Sequence, residues 1–270
     1  PCMVLPKLTE SHVHLDKCHT IHRMEGIGGD LPAAIAAQAA DRSTWTAEDI
    51  RQRATKGLDE LVAAGCGLVR THVDWGNGDD HTQPSLAWDV ITQLASERSD
   101  ISLQVAPLTG IDDLADAQVA DRIARTVAAK STVLGSFVYM QPNLLDGVQQ
   151  AFRVADTFGL ALDFHVDEGL DPNLNGLEAI ADVALETRFQ GPVLCGHACS
   201  LMNEAAEDFA RIADKLARSQ ISIVSLPSAN LYLQGRNDGT PDRRGITRIN
   251  ELQKAGVNVL VGTDNVRDAF

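Results

Sequence analysis

The chain has 270 residues, of which 44% are hydrophobic, and its formal net charge at pH 7 is −14. This length and apolar fraction fit one large core, so we treat residues 1–270 as a single domain. The acidic charge argues against a nucleic acid or an anionic membrane as the partner. It favours a small neutral molecule.

The cysteines and the apolar runs indicate where such a protein works. The five cysteines are an odd number without disulfide-like spacing, which favours a reducing, cytoplasmic setting. No apolar run approaches the roughly 18 residues of a membrane helix. Because the chain begins almost on a strand and ends at Phe270 without a closing helix, we expect flanking segments to be missing.

The predicted elements alternate short apolar strands with amphipathic helices, which is typical of βα units around a parallel sheet. The run at 3–8 predicts the first strand, and helical sequence follows at 33–40 and 46–64, where Thr46 and Asp49 form a capping box. Eight strands with seven helical segments between them predict a (β/α)8 TIM barrel. The other predicted strands cover 67–74, 101–108, 132–140, 160–168, 191–197, 221–226 and 257–264, and the helices named between them cover 85–98, 113–129 and 144–158.

Polar side chains stand at the carboxyl ends of four of these strands. Two histidines spaced by two residues project from one face of an extended strand, and imidazoles on one face can share a metal ion. Since the strand ends of a barrel converge on one mouth, we expect the whole set to meet there. Taken singly, each also fits an ordinary role, such as a structural histidine, a helix N-cap or a solvated loop charge. The set comprises His12, His14, His165, Glu168, His197 and Asp264.

A series of motifs along nearly the entire chain resembles the cytosine deaminase branch of the metal-dependent amidohydrolase superfamily. The motifs are SHVHLD at 11–16, RTHVD at 70–74, FHVDE at 164–168, GH at 196–197, LQGR at 233–236, RRGITR at 243–248 and GTD at 262–264. The resemblance implies an amidohydrolase-type barrel. Members of this family usually add a small β-sandwich built from both chain ends, and we expect those segments to be absent from this chain.

The resemblance also implies one divalent metal ion, Fe(II) or Zn(II), with Glu168 and His197 catalytic. Such an ion lowers the pKa of bound water from about 15.7 toward 7, so that hydroxide can attack the ring carbon that carries an amino group. Glu168 would then protonate the adjacent ring nitrogen, His197 would orient the hydroxide, and Asp264 would pass its proton to the departing ammonia. The fourth strand has no lysine that could bridge two metals, which favours a single ion. The implied ligands are His12, His14, His165 and Asp264.

Two departures from the family pattern bear on the substrate. Leu108 stands where cytosine deaminases carry a glutamine that reads the pyrimidine edge, and Asn265 replaces a second aspartate after the metal ligand. Losing both polar contacts argues against cytosine itself. We therefore predict a hydrolytic deaminase of a cytosine-like pyrimidine or a related cyclic amidine. The predicted pocket wall comprises Leu31, Leu108, Gln141, Asn265 and Phe270, where Gln141 either replaces the lost amide or caps the following helix.

Three alternatives stay open at this point. The ending DNVRD at 264–268 also resembles the triazine-degrading N-alkylammelide amidohydrolases, which release an alkylamine, although Glu168 favours a deaminase. A non-catalytic binding barrel would typically have lost metal ligands, and none is lost here. Deamination of nucleic acid is disfavoured, because the signature of base-flipping zinc deaminases is missing. His72 and Asp74 are either supports behind the ligands or ordinary strand residues, and we expect a homo-oligomer.

Overall fold

The structure, a computed structural model, describes residues 4–25, 27–78, 80–236 and 243–270. Eight parallel strands lie side by side in chain order, with helices between them. The strands are β1 Leu8–Val13, β2 Cys66–Asp74, β3 Ser102–Gly110, β4 Val133–Val138, β5 Ala161–Val166, β6 Val193–His197, β7 Ser222–Ser225 and β8 Val259–Val261. The helices are α1 Leu31–Arg42, α2 Ala47–Ala63, α3 Leu86–Glu97, α4 Ile111–Leu114, α5 Ala117–Ala128, α6 Leu144–Phe158, α7 Gly176–Thr187, α8 Ala206–Arg218, α9 Pro227–Leu233 and α10 Ile249–Lys254.

The barrel closes where the segment after β8 meets β1. Val13 pairs with Asp264 in a parallel bridge. The backbone N–H of His14 donates to the carbonyl of Asp264 at 2.8 Å, and the N–H of Asp264 donates to the carbonyl of His12 at 2.8 Å. The predicted (β/α)8 barrel is therefore confirmed, and its two chain-distant edges meet at three of the predicted metal ligands.

The first strand lies further along the chain than predicted. The prediction of a strand at 3–8 is wrong for its described part, because β1 begins at Leu8 while Val4 and Leu5 are 91% and 66% exposed. Glu10 explains why a polar segment forms the strand. Its buried carboxylate accepts hydrogen bonds from the backbone N–H and the hydroxyl of Thr263, so it ties β1 to the segment after β8. Pairing across the barrel, rather than apolar character, defines this strand.

Local capping signals set the helix boundaries. The hydroxyl of Thr46 accepts from the N–H of Asp49 at 3.2 Å, so α2 begins where the capping pattern predicts. The predicted helix at 113–129 is instead two helices, α4 and α5. The Asp116 carboxylate accepts from the N–H groups of Gln118 and Val119 and starts α5 as a separate helix.

Alternation along the strands separates the apolar core from the polar interior. On β5, Phe164 packs outward against Phe152 of α6, with ring centroids 6.2 Å apart, while its neighbours Asp163 and His165 project to the other face. The large buried side chains Trp88 and Leu58 extend this outer core under α3 and α2. The interior face is thus left free for polar chemistry at the mouth.

None of the helices in the described part of the chain is both long enough and apolar enough to cross a membrane.

Candidate active site

The four predicted metal ligands converge at the mouth of the barrel. Nε2 of His12 and Nε2 of His14 lie 3.3 and 3.4 Å from Oδ1 of Asp264. Nε2 of His165 lies 3.0 Å from Nε2 of His14. All four side chains are buried. Donor atoms that lie within 4.8 Å of one another form two overlapping groups, one of His12, His14, His72 and His165 and the other of His12, His197 and Asp264.

These residues fit a divalent cation. Among the residues that the structure describes, Nε2 of His12 and Oδ1 of Asp264 make no hydrogen bond, although both are buried and close together. Burial and the charge of Lys17 lower the pKa of His14 to about 3, and burial lowers the pKa of His165 well below its usual value. The imidazoles of His14 and His165 are therefore neutral at pH 7, which is the form that binds a metal. Neutral imidazoles with one carboxylate suit Zn or Fe better than Mg or Ca.

Two positions at the mouth, one ligand and one catalytic histidine, depend on special backbone geometry. Asp264 and His197 have φ values of 65° and 69°, a left-handed conformation that is uncommon outside glycine. Gly196 precedes His197 because a Cβ there would lie 2.9 Å from the His12 ring, too close for any side chain. Gly196 therefore leaves room for the His12 ring, and the left-handed backbone at His197 sets the direction of the His197 side chain.

Glu168 and His197 form a second group beside the metal ligands. Oε1 of Glu168 lies 3.4 Å from Nδ1 of His197, and the Asn230 amide donates to that oxygen at 3.2 Å. Burial and the Asp264 carboxylate raise the pKa of Glu168 well above its usual value, which favours the protonated carboxyl. Burial lowers the pKa of His197 to about 4, so its ring is neutral. The pair can therefore supply a proton and a neutral hydrogen-bonding ring.

Sequence reasoning missed Asn230. Asn230 lies on α9, and Gln234 follows it four residues later, directly after the helix ends at Leu233. The Gln234 amide donates to the backbone carbonyl of Glu168 at 3.2 Å. The four-residue spacing of two amides, in and directly after a helix that follows a barrel strand, was the signal that could have identified them.

His72 lies closer to the metal ligands than the sequence indicated. Its ring centroid is 4.0 Å from that of His12 and 4.5 Å from that of His165, and it is fully buried. Nε2 of His72 lies 3.0 Å from Oδ1 of Asp163, whose other oxygen accepts from Arg70 at 2.8 Å. A ring nitrogen of His72 also belongs to the group of donor atoms formed with His12, His14 and His165, so His72 is either a support for the ligand rings or a ligand itself.

A cavity of about 500 Å³ opens above these groups. Four of the five predicted wall residues line it, namely Leu31, Leu108, Asn265 and Phe270, together with His14, His165, Glu168, His197 and Asp264. Gln141 does not. Its amide accepts from the N–H of Tyr139 at 2.6 Å and donates to the carbonyl of Phe137 at 3.2 Å. Gln141 therefore holds the end of β4 and neither caps α6 nor replaces the lost amide.

One wall of the cavity is a helix that the sequence only partly identified. Residues of α1 that recur at helical spacing line the cavity. Only Leu31 was predicted to line the pocket, because a helix face that lines a cavity has the same sequence pattern as a helix face that packs on a core. The lining residues from α1 are Leu31, Ile35, Gln38, Ala39 and Arg42.

Two buried carboxylates hold the loops that carry the site. Asp167 accepts from the N–H groups of Gly176 and Leu177 at 3.1 and 3.0 Å, which ties the loop after β5 to the start of α7. Asp268 accepts from the Asn265 amide and from the N–H of Phe270, both at 2.9 Å. Asp167 thus fixes the position of the neighbouring Glu168, and Asp268 fixes the wall residues Asn265 and Phe270. Neither carboxylate belongs to the reacting groups.

Comparison with known proteins places this site among enzymes of one family. The chain is 35% identical, over 271 residues and 99% of its length, to a pterin deaminase of Rhizobium rhizogenes (strain K84 / ATCC BAA-868). It superposes with a TM-score of 0.87 and 29% identity on 5-methylcytosine deaminase from Klebsiella pneumoniae liganded with 5-fluorocytosine, covering 98% of this chain. N-isopropylammelide isopropylaminohydrolase from Burkholderia multivorans ATCC 17616 has the same fold, with a TM-score of 0.74 and 22% identity over 98% of this chain.

The chain spans 61% of the length of the pterin deaminase and 64% of each of the two solved structures. The model of the amidohydrolase family matches residues 96–270, which include β3 to β8. The resemblance to the cytosine deaminase branch is confirmed by the pterin and 5-methylcytosine deaminases. The chain belongs to the amidohydrolase family.

Proposed function

We propose that the protein is a hydrolytic deaminase that releases ammonia from an amino-substituted nitrogen heterocycle, a cyclic amidine. The observation that carries this proposal is the placement of the buried Glu168 carboxyl in the same cavity as His14, His165 and Asp264, three of the predicted metal ligands. An acid next to a cation site is what replacement of an amino group by water requires.

The ion would be held by His12, His14, His165 and Asp264, and it is Fe(II) or Zn(II), since ligand type does not separate these metals. When bound, such an ion lowers the pKa of water and makes a nucleophile available at neutral pH. β4 carries no lysine, in keeping with a single ion.

Side chains of the protein then donate, accept and transfer the protons of the reaction. Glu168 donates its proton to the ring nitrogen next to the carbon under attack, because negative charge accumulates there. Asn230 holds the carboxyl group in place through the 3.2 Å hydrogen bond to Oε1. Nε2 of His197 makes no hydrogen bond within the described part of the chain, so it can orient the attacking water or a substrate oxygen. Asp264 receives one proton from that water and passes it to the departing amine, and the second proton of the water returns to Glu168 as the ring carbonyl forms.

The substrate that the cavity favours is a fused two-ring amidine of the pterin type. A volume of about 500 Å³ lies in the range of pockets that enclose drug-sized ligands, and a single pyrimidine would leave much of it unfilled. Apolar Leu108 lines the wall, which suits a ring face. The 35% identity to a pterin deaminase points the same way.

A cytosine-type pyrimidine is the second candidate, supported by the TM-score of 0.87 to 5-methylcytosine deaminase. An N-alkylammelide is a weaker candidate, because the 22% identity to that hydrolase supports only a shared fold.

The test is release of ammonia by the purified protein loaded separately with Fe(II) and Zn(II). The panel is pterin, isocytosine, 5-methylcytosine and N-isopropylammelide. We expect metal-dependent ammonia from pterin. Alkylamine release from the ammelide alone would replace the deaminase with the triazine hydrolase. No product from any ring, with metal bound, would favour a binding barrel and overturn the proposal.

A further inference from the structure

Gln38 is a polar side chain that the proposed chemistry does not use. It lies on α1 with Ala34 and Asp41, on the face of the helix that is buried, and it lines the cavity. The residue is only 2% exposed. Within the described part of the chain, neither its amide oxygen nor its amide nitrogen has a hydrogen-bond partner.

When no ligand is bound, the buried carboxamide of Gln38 lowers the stability of the folded protein. Removing an amide from water without giving it a partner destabilises a folded protein, so buried amides are nearly always hydrogen-bonded. Neighbouring positions on the same wall, Leu31, Ile35 and Ala39, are apolar and fill their space without this penalty. The free volume next to Gln38 is the cavity itself, so a bound molecule is the available partner.

The carboxamide defines what that partner must present. It offers an N–H donor beside a carbonyl acceptor in one plane, so its complement is a planar edge with an acceptor beside a donor. The cis-amide edge of an oxo-substituted ring, with C=O next to ring N–H, is such an edge. A ring nitrogen beside an exocyclic amino group also pairs an acceptor with a donor, but in a substrate that amidine edge carries the reacting carbon and faces Glu168, so the edge left for Gln38 is the cis-amide edge.

We propose that Gln38 is a specificity-determining residue that binds the cis-amide edge of an amino-oxo heterocycle. This inference rests on the proposed function and narrows its substrates to rings that carry an oxo group beside a ring N–H. Gln38 supplies, from α1, an amide to a cavity whose wall at Leu108 is apolar. Discrimination of this kind is strong because a ring without the edge leaves the buried amide unpartnered.

The test compares the binding of quinazolin-4-one, which has the cis-amide edge, with quinazoline, which lacks it. Neither carries an amino group, so turnover cannot consume them. Calorimetric titration of the metal-loaded wild type should show the oxo ring binding about 10- to 100-fold more tightly, as two neutral hydrogen bonds provide. In Gln38→Met, which keeps the shape of the side chain, this preference should fall to less than about threefold.

Gln52→Met on α2 is the matched control, because Gln52 is exposed and remote from the cavity wall; it should keep the wild-type preference. The ligand-free Gln38→Met protein should have a melting temperature equal to or above that of the wild type, since it loses an unpartnered buried amide. Equal binding of both rings by the wild type would overturn the inference even if the variant failed to fold.

An unchanged preference in Gln38→Met, or an equal loss for both rings, would also overturn it. If the wild type shows the preference but deaminates no ring, the proposed function fails and the role of Gln38 stands. If the wild type deaminates pterin without any preference between the two ligands, only the inference fails.

Discussion

The side chain whose replacement most clearly separates proton transfer from metal binding is Glu168. In Glu168→Gln, the shape of the group and the hydrogen bond from Asn230, 3.2 Å in the wild type, can both be kept. Only the titratable proton is lost. Glu168 is 6% exposed, so bulk water has little access to replace that proton. We therefore expect the full loss that general acid catalysis provides, about 10²- to 10⁴-fold in kcat/KM, or about 3 to 5 kcal/mol.

The assay is ammonia release from pterin, with metal content measured on the same samples. Metal content should equal that of the wild type, because Glu168 does not belong to the predicted ligands. Glu207→Gln on the exposed face of α8 is the control for the same chemical change, and it should keep full activity. A Glu168→Gln protein with a rate near that of the wild type would refute the assignment of the acid.

Two predictions concern the stability of the folded protein, one for the buried carboxylate of Asp163 and one for the capping hydroxyl of Thr46. Asp163→Asn should lower the free energy of unfolding by about 3 kcal/mol in urea titrations, because it leaves the guanidinium of Arg70 without its charged partner. Burial alone would raise the pKa of Asp163, but His72 and Arg70 outweigh it and lower the pKa from 3.8 to about 2. The stabilisation is therefore complete above pH 3.8 and disappears as the pH falls through 2, and a difference between the two proteins that persisted below pH 2 would contradict this. Thr46→Ala removes the N-cap of α2 and should destabilise the protein by about 1 kcal/mol with no change in kcat; an unchanged midpoint would contradict the cap.

The barrel could be predicted because each strand except the first is a short apolar run followed by a helix. β1 was misplaced for the same reason. Its strand contains Thr9, Glu10 and Ser11, and the partner that stabilises the buried Glu10 carboxylate is Thr263, at the far end of the chain. A local pattern carries no information about a partner that distant in sequence.

The convergence of the predicted ligands could be foreseen because it needs only the rule that strand ends share one mouth. The positions of Asn230, Gln38 and His72 could not, because each depends on which way a helix or a strand faces in three dimensions. For Gln141 the prediction failed in the opposite direction, since this residue was expected in the pocket and does not line it. A polar residue at a strand end was expected in the pocket, but the nearest backbone groups hold its amide.

Several sequence predictions stay predictions. These are the single domain over residues 1–270, the homo-oligomer, the cytoplasmic setting, and the exact assignment of the ligands. The last of these matters most, because the chemistry of the mouth depends on it.

The most direct test of the account is the metal content of the purified protein and of Asp264→Asn, measured after dialysis against Zn(II) and then against metal-free buffer. We expect one tightly bound ion per chain in the wild type and a loss of affinity of at least about tenfold in the variant. We also expect that removing the ion with a chelator lowers the melting temperature of the wild type. A wild-type protein that retained no ion, or a variant that bound it as tightly, would contradict the claim that these side chains form one metal centre.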